Sequence, residues 1–167
     1  VAKSLREEQY QDRLARLFGQ TGSLEGINDS FVKTITFQVT DDCCLACTYC
    51  YQQNKGHHTM TFDTAKKLID AILADDPKTS GYLTSHKALG VIIEFIGGEP
   101  FLAIDLIDEI TDYFIGEMIR LGHPWATRYM ISICSNGVHY FDPKVQAYIH
   151  KNLSHLSFSI SVDGDKR

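Results

Sequence analysis

The chain has 167 residues, of which 44% are hydrophobic and 22% are charged, as in an ordinary globular domain with one buried core. The formal net charge is −5 and no basic run occurs, so nothing in the composition indicates binding to nucleic acid or to an anionic membrane surface. No apolar stretch approaches the roughly 20 residues needed to span a bilayer, and we expect a cytoplasmic protein.

The hydrophobic pattern predicts strands and helices that alternate along the chain. A leading helix at 4–18 and a polar connector at 19–28 precede the core. The core elements are predicted as strands at 32–40, 89–96, 128–134 and 155–162, with helices at 61–74, at 104–121 and from Pro143 onward. Thr61 and Asp142 are the predicted N-caps of two of these helices. This order predicts an α/β fold with a parallel sheet and right-handed crossovers.

Four of the five cysteines lie in residues 41–52, the cysteine loop, directly after the first predicted strand. Cys43, Cys47 and Cys50 follow the spacing C-x3-C-x2-C, and Cys44 lies beside the first of them. This spacing brings three thiolates onto one small object, and thiolates are the usual ligands of cubane iron–sulfur clusters. A zinc site is the alternative. Neighbouring side chains rarely face one metal and no second separated pair is present, so the pattern favours the cluster.

The pattern C-x3-C-x-Y-C-Y resembles the cluster loop of the radical S-adenosylmethionine (SAM) enzymes. It is most similar to the branch that contains the anaerobic sulfatase-maturating and peptide-modifying (SPASM-type) enzymes. The resemblance implies that Cys43, Cys47 and Cys50 each bind one iron of a [4Fe-4S] cluster, while the amino and carboxylate groups of SAM chelate the fourth iron. It also implies that Tyr49 lies beside the adenine of SAM.

Two later segments, each placed after a predicted strand, resemble further SAM-contacting segments of the same family. The G-G-E-P segment at 97–100 is similar to the family's G-G-E motif, which implies that the backbone near Gly98 and Glu99 receives the amino group of SAM. The S-N-G turn is similar to the family's T-N-G or S-N-G turn, which implies a ligand role for Ser135 or Asn136. An ordinary strand-to-helix turn remains the alternative for both segments.

A last segment that resembles the family follows the fourth predicted strand. For the S-x-D-G stretch, the resemblance implies contacts with the ribose and carboxylate of SAM, with Ser161 as the first candidate and Asp163 as the second. A strand that ends in a D-G turn is the alternative. Because ligands of parallel α/β folds bind at the carboxyl ends of the strands, we expect the cysteine loop and these segments at one rim.

Polar residues recur on one face of each predicted strand. If these faces line the inside of a curved sheet, the interior is unusually polar, which suits a zwitterionic sulfonium cofactor. Cys134 is predicted to be a small buried residue rather than a metal ligand. The residues of the proposed polar face are Thr36, Gln38 and Thr40; Glu94, Ile96 and Gly98; Ser132 and Cys134; and Ser157, Ser159 and Ser161.

The resemblance implies a partial (β/α)6 barrel with about four parallel strands and covering helices. We expect residues 1–30 to be a helix and connector outside this fold, and residues 31–167 to be a truncated part of a longer core. The implied activity is that of a radical SAM oxidoreductase: a reduced [4Fe-4S] cluster cleaves SAM to a 5′-deoxyadenosyl radical, which removes a hydrogen atom from the substrate. The C-x-Y-C-Y pattern favours a peptide or protein substrate by analogy. An electron donor such as flavodoxin or ferredoxin is an implied partner, and no general acid or base is assigned.

Two other classes of protein fit parts of the pattern. A zinc-binding structural or interaction module would use the cysteines as zinc ligands. A cluster protein that transfers electrons without cleaving SAM would need a fourth ligand, and Cys44 is the local candidate. His57 and His58 could be ligands or acid–base groups by residue type, but a pair of histidines in a polar loop is expected to be solvated.

Overall fold

Strands and helices alternate in the part of the chain that the structure describes. The structure is a computed structural model, and it describes residues 32–52, 56–74 and 88–162. The predicted leading helix, its connector and Asp163 lie outside these residues. None of the described helices is both long and apolar enough to cross a membrane. The elements are β1 (Val32–Thr40), α1 (Phe62–Leu73), β2 (Gly90–Gly97), α2 (Ile104–Arg120), β3 (Tyr129–Ser135), α3 (Pro143–Asn152) and β4 (Leu156–Ile160), with short 3-10 turns at Pro100–Ala103 and Pro124–Thr127.

The four described strands pair in parallel and follow one another in the sheet in chain order, β1-β2-β3-β4. This arrangement confirms the predicted α/β fold with about four parallel strands. Strands that follow chain order without a reversal are typical of the wall of a (β/α) barrel, whereas a doubly wound sheet changes direction at a switch point. The described chain therefore has the topology of part of a barrel.

One face of the sheet is covered by helices and holds the core. Phe37 of β1 shows the packing, since its ring stacks on Phe95 at 5.8 Å between centroids and meets the edge of Phe114 of α2 at 6.5 Å. An edge-to-face pair, Phe62 with Tyr113, joins α1 to α2. Removing this apolar surface from water is the main stabilising contribution to the fold. The buried strand residues on this face are Ile35, Phe37, Val39, Val91, Ile93, Phe95, Ile131 and Ile133.

The opposite face of the sheet carries the alternate, mainly polar residues. Thr36, Glu94, Ser132 and Ser157 are in register across the four strands and form one polar row. The Thr36 hydroxyl donates to the Glu94 carboxylate at 2.7 Å. The β4 serines are exposed rather than packed against the helices. The predicted polar face is therefore confirmed, and it lies on the side away from the core.

Two local predictions need correction and one is confirmed. Cys134 was predicted to be buried but is exposed, because the alternation along β3 turns its side chain away from the core. Asp142 occupies the N-cap position of α3, but its carboxylate makes no bond to the helix and lies 2.8 Å from His139 Nδ1. The Thr61 cap of α1 is confirmed, since its hydroxyl accepts from the Thr64 amide at 3.3 Å.

Candidate functional site

The predicted site segments lie together at the carboxyl ends of the strands. β1, β2 and β3 end at Thr40, Gly97 and Ser135, and the cysteine loop, the rest of the G-G-E-P segment and the S-N-G turn follow directly. Backbone hydrogen bonds join neighbouring ends: the Gly98 amide donates to Thr40 O at 2.9 Å, and the Ser161 amide donates to Ser135 O at 3.0 Å. The predicted common rim is therefore present.

Hydrogen bonds fix the first residues of the cysteine loop against β1 and β2. The Glu99 amide donates to Asp42 O at 2.8 Å, and the Asp42 amide donates to Thr40 Oγ1 at 3.1 Å. The Asp42 carboxylate accepts from the Cys43 amide at 3.2 Å and lies 3.1 Å from Nδ1 of His57. The His57 side chain is exposed, as predicted for a solvated histidine. The position of Cys43 thus depends on contacts made by the residue before it.

Gly97 and Gly98 allow the cysteine loop to cross the end of β2 closely. A Cβ atom on Gly97 would lie 2.5 Å from the Thr40 carbonyl oxygen, and a Cβ on Gly98 would overlap the Asp42 carbonyl. No other residue type lacks the Cβ that would prevent this approach. The glycine pair therefore seats the start of the cysteine loop, and its predicted contact with SAM stays a prediction.

The Glu99 carboxylate is fully buried and joins the end of β2 to the end of β3. It accepts from the Ser135 hydroxyl at 2.8 Å, from the Asn136 amide at 2.8 Å and from the Phe101 amide at 3.0 Å. Three donors provide the partners that a buried carboxylate needs. The side chains of Glu99 and Ser135 are thus bonded to each other, and the predicted contacts of these two residues with SAM stay predictions.

The Asn136 side chain connects the S-N-G turn to the cysteine loop. Its Oδ1 accepts from the Val138 amide at 3.0 Å, which assigns the orientation of the amide group. The Nδ2 atom then lies 3.4 Å from Cys44 Sγ and 3.8 Å from Cys43 Sγ. A residue 92 or 93 positions away in sequence therefore faces two of the four thiols of the loop.

None of the four cysteines of the cysteine loop forms a disulfide. Cys43, Cys47 and Cys50 are partly buried and Cys44 is exposed. The backbone closes a turn in which the Cys50 amide donates to Cys47 O at 3.2 Å. Within the described residues, no three His, Cys, Asp or Glu side chains lie close enough together to hold one metal ion. The described thiols therefore do not form a site for a single metal ion, whereas each cysteine of a cubane cluster binds a different iron.

The donor set fits an iron–sulfur cluster by its chemistry. Three thiols on one short loop are the ligand type that cubane clusters take. A depression of about 590 Å³ lies against residues 46–52. The side-chain oxygen of Gln52, in this lining, is buried without a hydrogen-bond partner among the described residues.

The remaining predicted SAM contacts are Tyr49, Ser161 and Asp163. Tyr49 lies between two of the cysteines and is 67% exposed. Ser161 follows β4 and is also exposed, with its hydroxyl 3.9 Å from Cys134 Sγ. Asp163 lies outside the described residues. The structure places every described candidate at the same end of the sheet, while the contacts with SAM themselves stay predictions.

Sequence reasoning missed two contacts that shape the site. Asp42 holds the Cys43 amide, and an aspartate directly before the first cysteine is a local signal that could have indicated this. The contact of Asn136 with the sulfurs has no local signal, because it depends on how β3 ends relative to β1. The motifs pointed to segments that the structure places at one rim, but they assigned the S-N-G turn to SAM alone.

The fold and the rim together define a class of architecture, part of a parallel (β/α) barrel with its candidate segments at the carboxyl ends of the strands. Two structures of anSMEcpe, an anaerobic sulfatase-maturating radical SAM enzyme, match this chain with a TM-score of 0.57 at 19% sequence identity. The match covers 81% of this chain and 33% of each of theirs. One of these structures contains bound AdoMet, and the other contains AdoMet with the Kp18Cys peptide. At this identity the likeness shows the fold.

A similar sequence occurs in an archaeon. The uncharacterized protein MJ0907 of Methanocaldococcus jannaschii is 39% identical over 82 residues, which are 49% of this chain and 24% of that protein. The chain thus spans about a quarter of the length of MJ0907 and about a third of that of anSMEcpe. No family model matches the chain.

Proposed function

We propose that this chain is the cluster- and SAM-binding part of a radical SAM enzyme that acts on a peptide or protein. The observation that carries the proposal is the mutual bonding of its motifs. The G-G-E-P segment is bonded to the start of the cysteine loop, and the S-N-G turn is bonded to both. These bonds hold the three motifs together at the end of the sheet where parallel α/β folds bind ligands. The likeness of the fold to AdoMet-bound structures supports the same conclusion.

Each motif has a distinct role in this proposal. Cys43, Cys47 and Cys50 would hold the cluster. When bound, the reduced cluster supplies the electron that cleaves SAM reductively. The backbone at Gly98 and the hydroxyl of Ser161 would orient SAM at the rim, together with the other candidates of the rim. Tyr49 would cover its adenine and exclude water from it.

A peptide substrate is supported by the sequence pattern of the loop and by the peptide bound to anSMEcpe. The polar face beneath the rim offers hydroxyl groups and the Glu94 carboxylate to a substrate with hydrogen-bonding groups. A small electron carrier of the flavodoxin or ferredoxin type would reduce the cluster. The cytoplasm, where thiols stay reduced, is the compartment proposed.

Anaerobic reconstitution with iron and sulfide tests the proposal. After reduction in the presence of SAM, we expect four irons and four sulfides per chain, on the order of one full cubane, and formation of 5′-deoxyadenosine. Cys47→Ala should abolish both cluster assembly and product formation, while Cys134→Ala, a cysteine outside the loop, should leave cluster content unchanged. Stoichiometric zinc without iron or sulfide would show that the chain is a zinc module instead.

The fourth cysteine of the loop separates the proposal from an electron-transfer protein with a complete ligand set. We expect Cys44→Ala to retain the cluster, because only three thiolates are needed when SAM occupies the fourth iron. Loss of iron in Cys44→Ala, with no 5′-deoxyadenosine from the unmodified protein, would favour an electron carrier. Iron content and ultraviolet–visible absorbance of the cluster measure the difference.

A further inference from the structure

The Asn136 turn is held by contacts outside the cysteine loop, and Asn136 Oδ1 also lies 3.8 Å from Cys44 Sγ. Its backbone amide donates to the buried Glu99 carboxylate, and its Oδ1 accepts from the Val138 amide. The next residue, Gly137, has a φ of 78°, and its amide donates to the Ser135 hydroxyl at 2.9 Å. The turn that carries Asn136 is therefore closed by its own hydrogen bonds, whatever the state of the thiols.

These contacts direct the Asn136 NH2 group at sulfur. It lies 3.4 Å from Cys44 Sγ and 3.8 Å from Cys43 Sγ, distances that suit the large sulfur atom as an acceptor. Of these two, Cys43 is the thiol proposed to hold iron, and a thiolate accepts a hydrogen bond more strongly than a thiol does. The amide group is therefore placed to donate to the first cluster ligand.

We propose that Asn136 donates an N–H···S hydrogen bond to the Cys43 thiolate and thereby raises the reduction potential of the cluster. This inference rests on the proposed function, since it needs a cluster at Cys43, Cys47 and Cys50. A donor at a ligand sulfur stabilises the reduced, more negative state of a cluster more than the oxidised state. Asn136 is thus a positioning and tuning residue for the cluster, in addition to any contact with SAM.

Two substitutions remove the donor while keeping the turn. Asn136→Ser retains a side-chain oxygen that can accept from the Val138 amide, but its short hydroxyl does not reach the sulfurs. Asn136→Asp retains the shape and the acceptor and replaces the NH2 group with a carboxylate oxygen facing the thiolates. We expect the reduction potential to fall in Asn136→Ser and to fall further in Asn136→Asp, because a negative charge opposes reduction.

The potential is measured by redox titration of the reconstituted protein, followed by electron paramagnetic resonance of the reduced cluster. Iron and sulfide contents are measured on the same samples, so that potentials are compared only between fully loaded proteins. Equal potentials in the unmodified protein and Asn136→Ser, or Asn136→Asp at or above Asn136→Ser, would overturn the inference. Failure of both variants to assemble a cluster that the unmodified protein assembles would also overturn it, since the residue would then act in assembly rather than in tuning.

Cys44→Ala decides which sulfur receives the bond. If the Asn136 amide group donates to Cys43, Asn136→Ser lowers the reduction potential of the cluster at least as much in Cys44→Ala as in the protein with Cys44. If the amide group donates only to Cys44, Asn136→Ser no longer changes the reduction potential in the Cys44→Ala protein. That result contradicts the inference while leaving the proposed function intact. Absence of iron and sulfide from the unmodified protein would instead contradict the proposed function, and the inference would fall with it.

Discussion

The Glu99 carboxylate is the buried charge on which the rim depends. It has no exposed surface, and its three donors come from the 3-10 turn after β2 and from the end of β3. A buried carboxylate without partners would be very costly, so this residue and its donors are stable only as a set. One side chain therefore holds the G-G-E-P segment and the S-N-G turn together.

Replacing Glu99 with alanine should destabilise the protein by about 3 kcal/mol, because it leaves three donors, two of them buried, without an acceptor and opens a cavity. The free energy of unfolding in urea, measured without cluster, checks this expectation. Glu109→Ala, at an exposed position of α2, is the matched control and should change the stability by no more than about 0.5 kcal/mol. Similar stabilities for the two variants would contradict the role assigned to Glu99.

Tyr148 on α3 should make the protein sensitive to alkaline pH. Burial raises the pKa of its phenol above the ordinary value, although the hydrogen bond with Thr111 at 2.9 Å acts in the opposite direction. A raised pKa in the folded state means that the stabilising contribution is complete below the unfolded pKa of about 10 and is lost as pH rises above it. We expect about 1.4 kcal/mol to be lost per pH unit in this range.

The variant Tyr148→Phe tests this pH dependence. It should cost about 1 kcal/mol at neutral pH, since the buried Thr111 hydroxyl loses its partner, and it should show a shallower loss of stability above pH of about 10. Urea unfolding at a series of pH values measures both effects. An identical alkaline slope in the variant and the parent protein would assign the loss to other groups.

Among the contacts between secondary-structure elements, the one between the cysteine loop and the end of β2 positions the candidate site. The loop backbone at Asp41 and Asp42 lies against Gly98, where a Cβ would be 2.7 Å from the Asp41 carbonyl oxygen. The loop is thus positioned by close backbone packing as well as by its hydrogen bonds. Its remaining residues extend from a fixed starting point.

A pair of glycine substitutions tests this packing. Gly98→Ala should displace the loop and destabilise the protein by about 2 kcal/mol, because the new methyl group overlaps backbone that cannot move independently. Gly116→Ala is the control: it lies within α2 with nothing within 4 Å of the added methyl group, and it should stabilise the protein by about 0.5–1 kcal/mol. Thermal and urea unfolding distinguish the two signs. Equal effects would contradict the close approach.

Predicted element bounds agree with the structure to within a few residues where the pattern is local. β1 matches its predicted range, and α2 differs by one residue at its end. β4 is shorter than predicted, ending at Ile160, since alternation of apolar and polar residues continues beyond the paired region. Periodicity reports which residues can face a core, whereas strand ends depend on the neighbour with which they pair.

At the scale of the whole molecule, the sheet has one apolar face under helices and one polar face that remains open in the described chain. Its β4 edge has no further strand partner among the described residues. Val162, two residues beyond the end of β4, is 80% exposed. An unpaired edge with exposed apolar residues is a site at which chains associate.

We expect the chain by itself to self-associate through this edge, and Val162→Lys to weaken the association, because a charged side chain beside an edge disfavours strand pairing. Sedimentation velocity over a range of concentrations measures the association. Ile119→Lys adds the same charge at an exposed position of α2, away from the sheet edge, and should have no effect. Equal effects of the two variants would indicate that net charge, rather than the edge, controls association.

By itself the sequence determined the order and type of the elements, the parallel sheet and the segments that follow its strands, since periodicity, glycine pairs and cysteine spacing are local properties. The tertiary structure alone decided what the side chains at the rim contact. Glu99 meets Ser135 from 36 positions away, and Asn136 meets Cys43 from 93 positions away. Local sequence carries no signal for such pairs, because they exist only once β1, β2 and β3 lie side by side.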